Sequence, residues 1–125
     1  KLILLGRRPE AARALRKRGG KWIKVQREAV GLTQCELALA VGLPYYSFVS
    51  SIEVGSGKPP PELYEAFARA LQVEPKDFAW VMVRYYGPWV FKALGGIDAE
   101  RSAMPDGAKV RSIGLGSRQV GRQVG

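Results

Sequence analysis

Apolar residues recur at one-turn spacing over residues 34–41, and this pattern predicts an amphipathic helix. The side facing inward is formed by Leu37, Ala38 and Val41. Thr33 is a favoured helix-capping residue, and Glu36 follows three positions later, where its carboxylate reaches the Thr33 amide in a capping box. The helix is therefore expected to begin directly after Thr33.

A tight turn and a second short helix follow. Gly42 suits the left-handed conformation that ends a helix, and the fixed backbone angle of Pro44 suits the first turn of the next one. Over residues 45–53, Val49 and Ile52 return to the inward side. The outward side is left to Tyr45, Tyr46, Ser47, Ser50 and Ser51. This is the arrangement of a helix-turn-helix that reads DNA with its second helix, although the same pattern also occurs in helical domains that never touch nucleic acid.

Further motifs surround the two helices. Arg27 lies four residues before Gly31, and the residues Leu-Thr-Gln follow this glycine. Further along, residues 59–73 have the sequence PPPELYEAFARALQV. Together with Leu37-Ala38 and Gly42-Leu43, these motifs resemble the helix-turn-helix family of phage lambda repressor and Cro, often called XRE-like. The resemblance covers the run from about Ile23 to Val73.

The resemblance implies roles for several residues. Arg27 in the first helix is expected to form a structural ion pair with Glu53, at the end of the third. Thr33 and Gln34, at the start of the second helix, are expected to bind DNA phosphate together with Lys58 in the loop after the third helix. Tyr45, Tyr46, Ser47, Ser50 and Ser51 are expected to face the bases.

The chain departs from the family pattern near this reading face. Gly42 and Glu53 are 11 positions apart, one more than in the commonest members, and Val54 replaces an Asn. Residues 45–54 contain no Arg, Lys, Asn or Gln, the side chains that make paired hydrogen bonds to guanine or adenine. Base readout is therefore expected to depend on contact and DNA shape.

The net charge of +9 is concentrated near the start of the chain. Residues 1–27 hold ten Lys and Arg against Glu10, whereas residues 28–125 are balanced. We interpret residues 1–20 as a basic arm, with a short helix over Pro9–Arg18 that Gly19-Gly20 closes. Its expected phosphate contacts are Arg16, Lys17, Arg18 and Lys21. The alternative is a solvated charged tail.

The residue types limit the chemistry. There is no His, a single Cys (Cys35) and no carboxylate constellation suited to metal catalysis, so we expect no enzyme activity, no metal and no cofactor. Gly55 to Lys58 bring Gly and Lys together without the spacing of a phosphate-binding loop. No small-molecule ligand is evident.

The C-terminal part changes character after Pro75. Residues 75–94 are rich in aromatic and apolar residues and are broken near Gly87-Pro88. We expect the part around Phe78 to complete the core as a fifth helix, and the part from Tyr85 to Leu94 to pair two protomers as a homodimer. Residues 95–125 hold seven of the fifteen glycines and are expected to be a flexible, disordered tail.

These patterns predict an all-α protein: a basic arm (1–20), a five-helix repressor-like helix-turn-helix domain (21–94) and a Gly-rich tail (95–125). The predicted function is a transcriptional regulator of bacterial or phage type that binds double-stranded DNA. The alternatives are a protein-interaction module, such as an antitoxin or phage accessory factor, and a non-specific nucleic-acid binder driven by the arm. No run of apolar residues is long enough to span a membrane, so we expect a cytoplasmic protein. The chain begins with Lys1 rather than Met, as a fragment or a processed product would.

Overall fold

The computed structural model describes residues 2–103, with side chains from residue 10 onward. Within this range the protein is all-helical, as predicted. The α-helices are α1 (Leu2–Ala29), α2 (Gln34–Val41), α3 (Tyr46–Val54), α4 (Tyr64–Leu71), α5 (Pro75–Tyr86), α6 (Pro88–Ala93) and α7 (Gly96–Ala103). A single 3₁₀ turn, Pro61–Leu63, precedes α4.

One core joins helices α1 to α5. Ile23, Leu37, Val49, Phe67 and Phe78 are fully buried and come from five different helices. The ring of Phe78 lies at the centre, stacked 6.0 Å from the Phe67 ring and meeting the rings of Trp22 and Tyr64 at 5.8 and 5.7 Å. The predicted inward residues of α2 and α3, and the predicted core position of Phe78, are confirmed.

The predicted end of the first short helix at Gly19-Gly20 is wrong. Gly19-Gly20 does not close a helix, because α1 runs unbroken for 28 residues, about 42 Å. Instead the two glycines allow close packing. A methyl group on Gly20 would collide with the backbone carbonyls of Ile52 and Glu53 in α3, and one on Gly19 would come within 2.8 Å of the Tyr86 ring.

The C-terminal segment also differs from the prediction. The break at Gly87-Pro88 is confirmed, since α5 ends at Tyr86 and α6 begins at Pro88. However, residues 96–103 form α7 rather than a disordered tail, so two further helices follow the five expected ones. Arg84 of α5 holds α7 in place through Glu100, with 2.6 Å between Nη2 and Oε1. The rest of the predicted tail, residues 104–125, lies outside the described residues.

The fourth helix, α4, ends at Gln72, which adopts the left-handed conformation with φ of 61° although it is not a glycine. A side chain in this conformation carries a strain of about 1–2 kcal/mol relative to Gly.

Candidate nucleic-acid interface

The start of α2 has the predicted capping box. The Thr33 hydroxyl accepts a hydrogen bond from the Glu36 amide at 3.0 Å, and the Glu36 carboxylate accepts one from the Thr33 amide at 2.8 Å. These two bonds satisfy backbone donors that would otherwise be left open at the helix start. Thr33 is exposed, so the positive end of the α2 dipole faces solvent.

Three helices meet at the carboxylate of Glu53. Arg27 of α1 donates to it twice, with Nε 2.6 Å from Oε2 and Nη2 3.0 Å from Oε1, and both side chains are buried. Gln34 at the start of α2 donates from Nε2 to Oε1 at 2.9 Å. The third Arg27 bond goes to the Leu32 carbonyl at 2.7 Å. The hydrogen bond that Arg27 donates to Glu53 raises the pKa of Arg27 above its ordinary value, although burial works in the opposite direction.

The ion pair fixes how α2 and α3 sit on α1. Gln34 is half-buried, and its amide nitrogen is held by the Glu53 carboxylate. The predicted phosphate-binding Gln34 therefore also orients the start of α2. Thr33 and Gln34 lie side by side at that helix end.

The turn between α2 and α3 extends from Gly42 to Tyr45. Gly42 has φ of 82° and its amide donates back to α2, so the helix ends there as predicted. Pro44 lies just before the capping residue Tyr45 rather than inside the first turn of α3. Helix α3 therefore occupies residues 46–54, one position later at each end than the predicted 45–53.

The outward side of α3 is mainly aromatic. Tyr45 and Tyr46 expose 67% and 56% of their surface, and Ser47 is also exposed. Ser50 and Ser51 are half-buried. The Ser51 hydroxyl lies 3.2 Å from the Ser56 hydroxyl, within hydrogen-bond distance. Four of the five predicted base-facing residues thus lie on α3 and Tyr45 directly precedes it, but the two later serines are less accessible than the three earlier residues.

Phe48 belongs to the same surface and was not among the predicted residues. It is 46% exposed, and its ring stacks on that of Tyr45 with 6.3 Å between centroids and 18° between planes. Phe48 lies four residues before the buried Ile52, and this spacing, like its apolar character, favours an inward position. The sequence therefore held no local signal for its exposure.

The loop after α3 contacts helix α1. Gly55 has φ of 94°, and its α-carbon lies so close to α1 that an added methyl group would come within 2.8 Å of Lys17 Cγ. Arg16 is half-buried and donates from Nε to the Gly55 carbonyl at 3.4 Å. Of the predicted phosphate-binding residues, Arg16 is therefore engaged within the protein, whereas Lys17, Arg18, Lys21 and Lys58 are exposed.

Four exposed cations of α1 form one stripe beside this loop. Arg13, Lys17, Lys21 and Lys24 are spaced by four, four and three residues, so they lie on one side of the helix over about 17 Å. We call these four residues the cationic stripe. Arg18 is displaced from it by about 100° around the helix. Arg13 and Lys24 were not among the predicted contacts.

Among residues 2–103, no group of three His, Cys, Asp or Glu side chains is placed to hold a metal ion. No single helix in this range is both long and apolar enough to cross a membrane; α2 and α3, bent by 110°, pass that test only as a pair, on length and composition.

Comparison with known families agrees with this geometry. Residues 23–78 match the family described as Helix-turn-helix. This segment is a helix-turn-helix domain of the lambda repressor type. The domain includes the end of α1 and the beginning of α5, and it leaves out most of the cationic stripe together with α6 and α7. A comparison with curated proteins and one with solved structures gave no match.

Proposed function

We propose that the protein is a DNA-binding transcriptional regulator of bacterial or phage type, with α3 placed in the major groove. The observation that carries the proposal is the cationic stripe, whose Lys17 packs against Gly55 at the end of α3 in a helix-turn-helix domain. Positive charge beside a helix of this kind attracts the DNA backbone to it.

The DNA phosphates are bound at three places in this proposal. The start of α2 offers Thr33, Gln34 and open backbone amides at the positive end of a helix dipole. Lys58 is exposed in the loop after α3. The third place is the basic part of α1, where the predicted contacts Lys17, Arg18 and Lys21 are joined by Arg13 and Lys24. Arg16 instead supports the loop after α3 through its hydrogen bond to the Gly55 carbonyl.

The bases are read by the outward side of α3 in this proposal. Tyr45, Tyr46 and Ser47 are the most accessible of the predicted residues, and Ser50 and Ser51 line the same helix. Replacing Tyr46 by Ala is expected to change which sequences are preferred, while leaving the salt dependence of binding intact.

A homodimer completes the proposal. Val90 of α6, Leu94 directly after α6 and Ile97 of α7 expose large apolar side chains. Two copies joined through this surface would read half-sites about one DNA turn apart. The cytoplasmic location and the lack of enzyme activity and cofactor stay predictions from the sequence.

The test is selection of duplexes from a random DNA library by the full chain at near-physiological salt. We expect an enriched inverted repeat with half-site centres about 10 base pairs apart. Enrichment of a single unrepeated site would retain the sequence-reading function and contradict the dimer. Binding that is weak, salt-sensitive and without enriched sequence would contradict the regulator.

A protein-interaction module is the second candidate, and the aromatic side of α3 favours it. Exposed aromatic patches of this kind also occur at protein interfaces. The DNA selection separates the two functions, because only the regulator requires an enriched sequence.

A further inference from the structure

We propose that the start of α3 recognises the C5-methyl groups of thymine through an aromatic patch formed by Tyr45 and Phe48, so that the preferred sites are rich in A·T pairs. This inference rests on the DNA-binding function proposed above and specifies the chemistry by which that function selects its sequence.

The aromatic patch is exposed and partly rigid. Its two rings, those of Tyr45 and Phe48, are 67% and 46% exposed at the start of the helix that enters the groove. Tyr45 and Phe48 stack on each other, so each ring restricts the other before any partner binds. Ordering the patch on DNA therefore costs less side-chain entropy than ordering two independent rings.

The polar groups of α3 provide little discrimination between bases. Residues 45–54 have no side chain able to make a paired hydrogen bond to guanine or adenine. Serine hydroxyls bond donors and acceptors alike, and the Ser51 hydroxyl already has Ser56 as a neighbour. The only apolar group that a base pair presents in the major groove is the thymine methyl. An apolar reading surface and an apolar base edge are complementary.

Charge favours DNA over a protein partner as the occupant of this patch. The cationic stripe adjoins the loop at the end of α3, and Lys58 is exposed in the same loop. The single acid of α3, Glu53, is buried and paired with Arg27, so it does not repel phosphate. A duplex satisfies both the cations and the aromatic patch, because its phosphates flank a groove that contains methyl groups.

The experiment uses the duplex selected by the full chain and replaces each thymine in turn by uracil, which lacks only the methyl. The dissociation constant is measured by fluorescence anisotropy at constant salt. We expect affinity to fall about fourfold for each methyl that the aromatic patch buries. Uracil at thymines outside the contacted positions should leave affinity unchanged.

A variant protein assigns the contact. In Phe48→Ala, the dissociation constants for the thymine duplex and the uracil duplex should become nearly equal at the position that Phe48 touches, so that their ratio approaches one. Leu39→Ala is the matched control, since Leu39 is 80% exposed on α2, outside both the aromatic patch and the proposed dimer surface, and it should keep the wild-type ratio. Circular dichroism melting verifies that both variants are folded, and the uracil series on the wild-type protein needs no variant at all.

The outcomes are distinct. Loss of affinity with uracil that Phe48→Ala abolishes supports the proposal. A selected site that tolerates uracil at every position, or one without thymine, overturns it while the regulator function stands. If no sequence is enriched, the result contradicts the regulator function, and thymine recognition is contradicted with it because it depends on that function. The aromatic patch is then assigned to a protein partner.

Discussion

At the scale of single residues, Glu53 connects the stability of the domain to its candidate interface. Its carboxylate is buried and binds Arg27 of α1 and Gln34 of α2 while it belongs to α3. The three elements that would meet DNA are therefore joined at one charged group. Removing that carboxylate would leave the Arg27 guanidinium buried, charged and without its ion-pair partner.

We predict that Glu53→Ala lowers the free energy of unfolding by about 3–5 kcal/mol, because it leaves a buried charge unpaired. Urea denaturation followed by circular dichroism measures the loss. Glu65→Ala is the control, because Glu65 pairs with Arg69 at 3.7 Å on an exposed helix surface. Its loss should stay within about 0.5 kcal/mol. Equal losses in the two variants would contradict the structural role of the Glu53 pair.

Tyr86 provides a pH-dependent prediction. Its hydroxyl is buried without a hydrogen-bond partner in the described structure, and burial raises its pKa well above the ordinary value of 10.0, although nearby Arg16 opposes the shift. The folded state therefore keeps this proton at a pH where the unfolded chain releases it. The free energy of unfolding therefore does not change with the ionisation of Tyr86 below about pH 10. It falls as the pH rises further toward the folded-state pKa.

We predict that Tyr86→Phe raises the free energy of unfolding by about 1–3 kcal/mol at neutral pH, because it removes an unsatisfied buried hydroxyl. The variant should also lose less stability than the wild type between pH 8 and pH 10.5 in urea denaturation. Some decline should remain, since burial also raises the pKa of Tyr64. Identical pH profiles would show that Tyr86 is accessible to water.

Sequence reasoning at this scale worked where a motif or a spacing carried the information. The Thr33–Glu36 capping box depends on two residues three positions apart, and the structure contains both of its bonds. The contact of Gln34 with Glu53 joins residues 19 positions apart and has no local signal. Ser51 likewise has a neighbour in Ser56 that only the turn at Gly55 brings near.

At the scale of elements, α1 shows how tertiary packing overrides a local signal. Two adjacent glycines ordinarily weaken a helix by about 1 kcal/mol each, which is why they predict an end. Here they let α1 approach α3 and Tyr86 closely, so the helix continues through them. Helix α7 was missed for a related reason, because the Arg84–Glu100 ion pair that holds it is not visible in a local pattern.

We predict that Gly20→Ala destabilises the protein by about 1–3 kcal/mol, because the added methyl meets the carbonyls of Ile52 and Glu53. Helix propensity alone would instead stabilise this variant by about 1 kcal/mol. Ala14→Gly makes the opposite substitution at an exposed position of the same helix, so it measures how much helix propensity alone changes the stability. Thermal melting distinguishes the cases, and a higher melting temperature for Gly20→Ala would contradict the close contact of α1 with α3.

At the scale of the whole molecule, the segment that matches the helix-turn-helix family is flanked in the sequence by two further surfaces. The cationic stripe of α1 lies on one and the apolar residues of α6 and α7 on the other. The proposed function divides the work accordingly: α1 and α3 meet the DNA, and α6 and α7 join two copies.

We predict that the wild-type protein sediments as a dimer at equilibrium and that Leu94→Glu shifts it to monomer, because a charge would be buried against the partner. Leu39→Glu is the control, since Leu39 is an exposed leucine on α2 and should leave the dimer intact. The monomeric variant should bind an inverted repeat about 10²–10⁴ times more weakly than the wild type, since the second half-site is no longer bound intramolecularly. A wild-type protein that sediments as a monomer would contradict this assignment.

The final prediction concerns where the net charge acts. Replacing Lys17, Lys21 and Lys24 together by Ala removes three charges from the cationic stripe, and replacing Lys76, Lys92 and Arg101 removes three from exposed positions on α5, α6 and α7. Both variants have the same net charge, so any difference between them reports position alone. If each lysine of the stripe neutralises one phosphate, the slope of log affinity against log salt should become shallower by about 3 per protomer in the first variant and stay unchanged in the second. Equal changes in the two variants would mean that the +9 charge attracts DNA without a defined contact, and helix α1 would then have no part in positioning α3 in the groove.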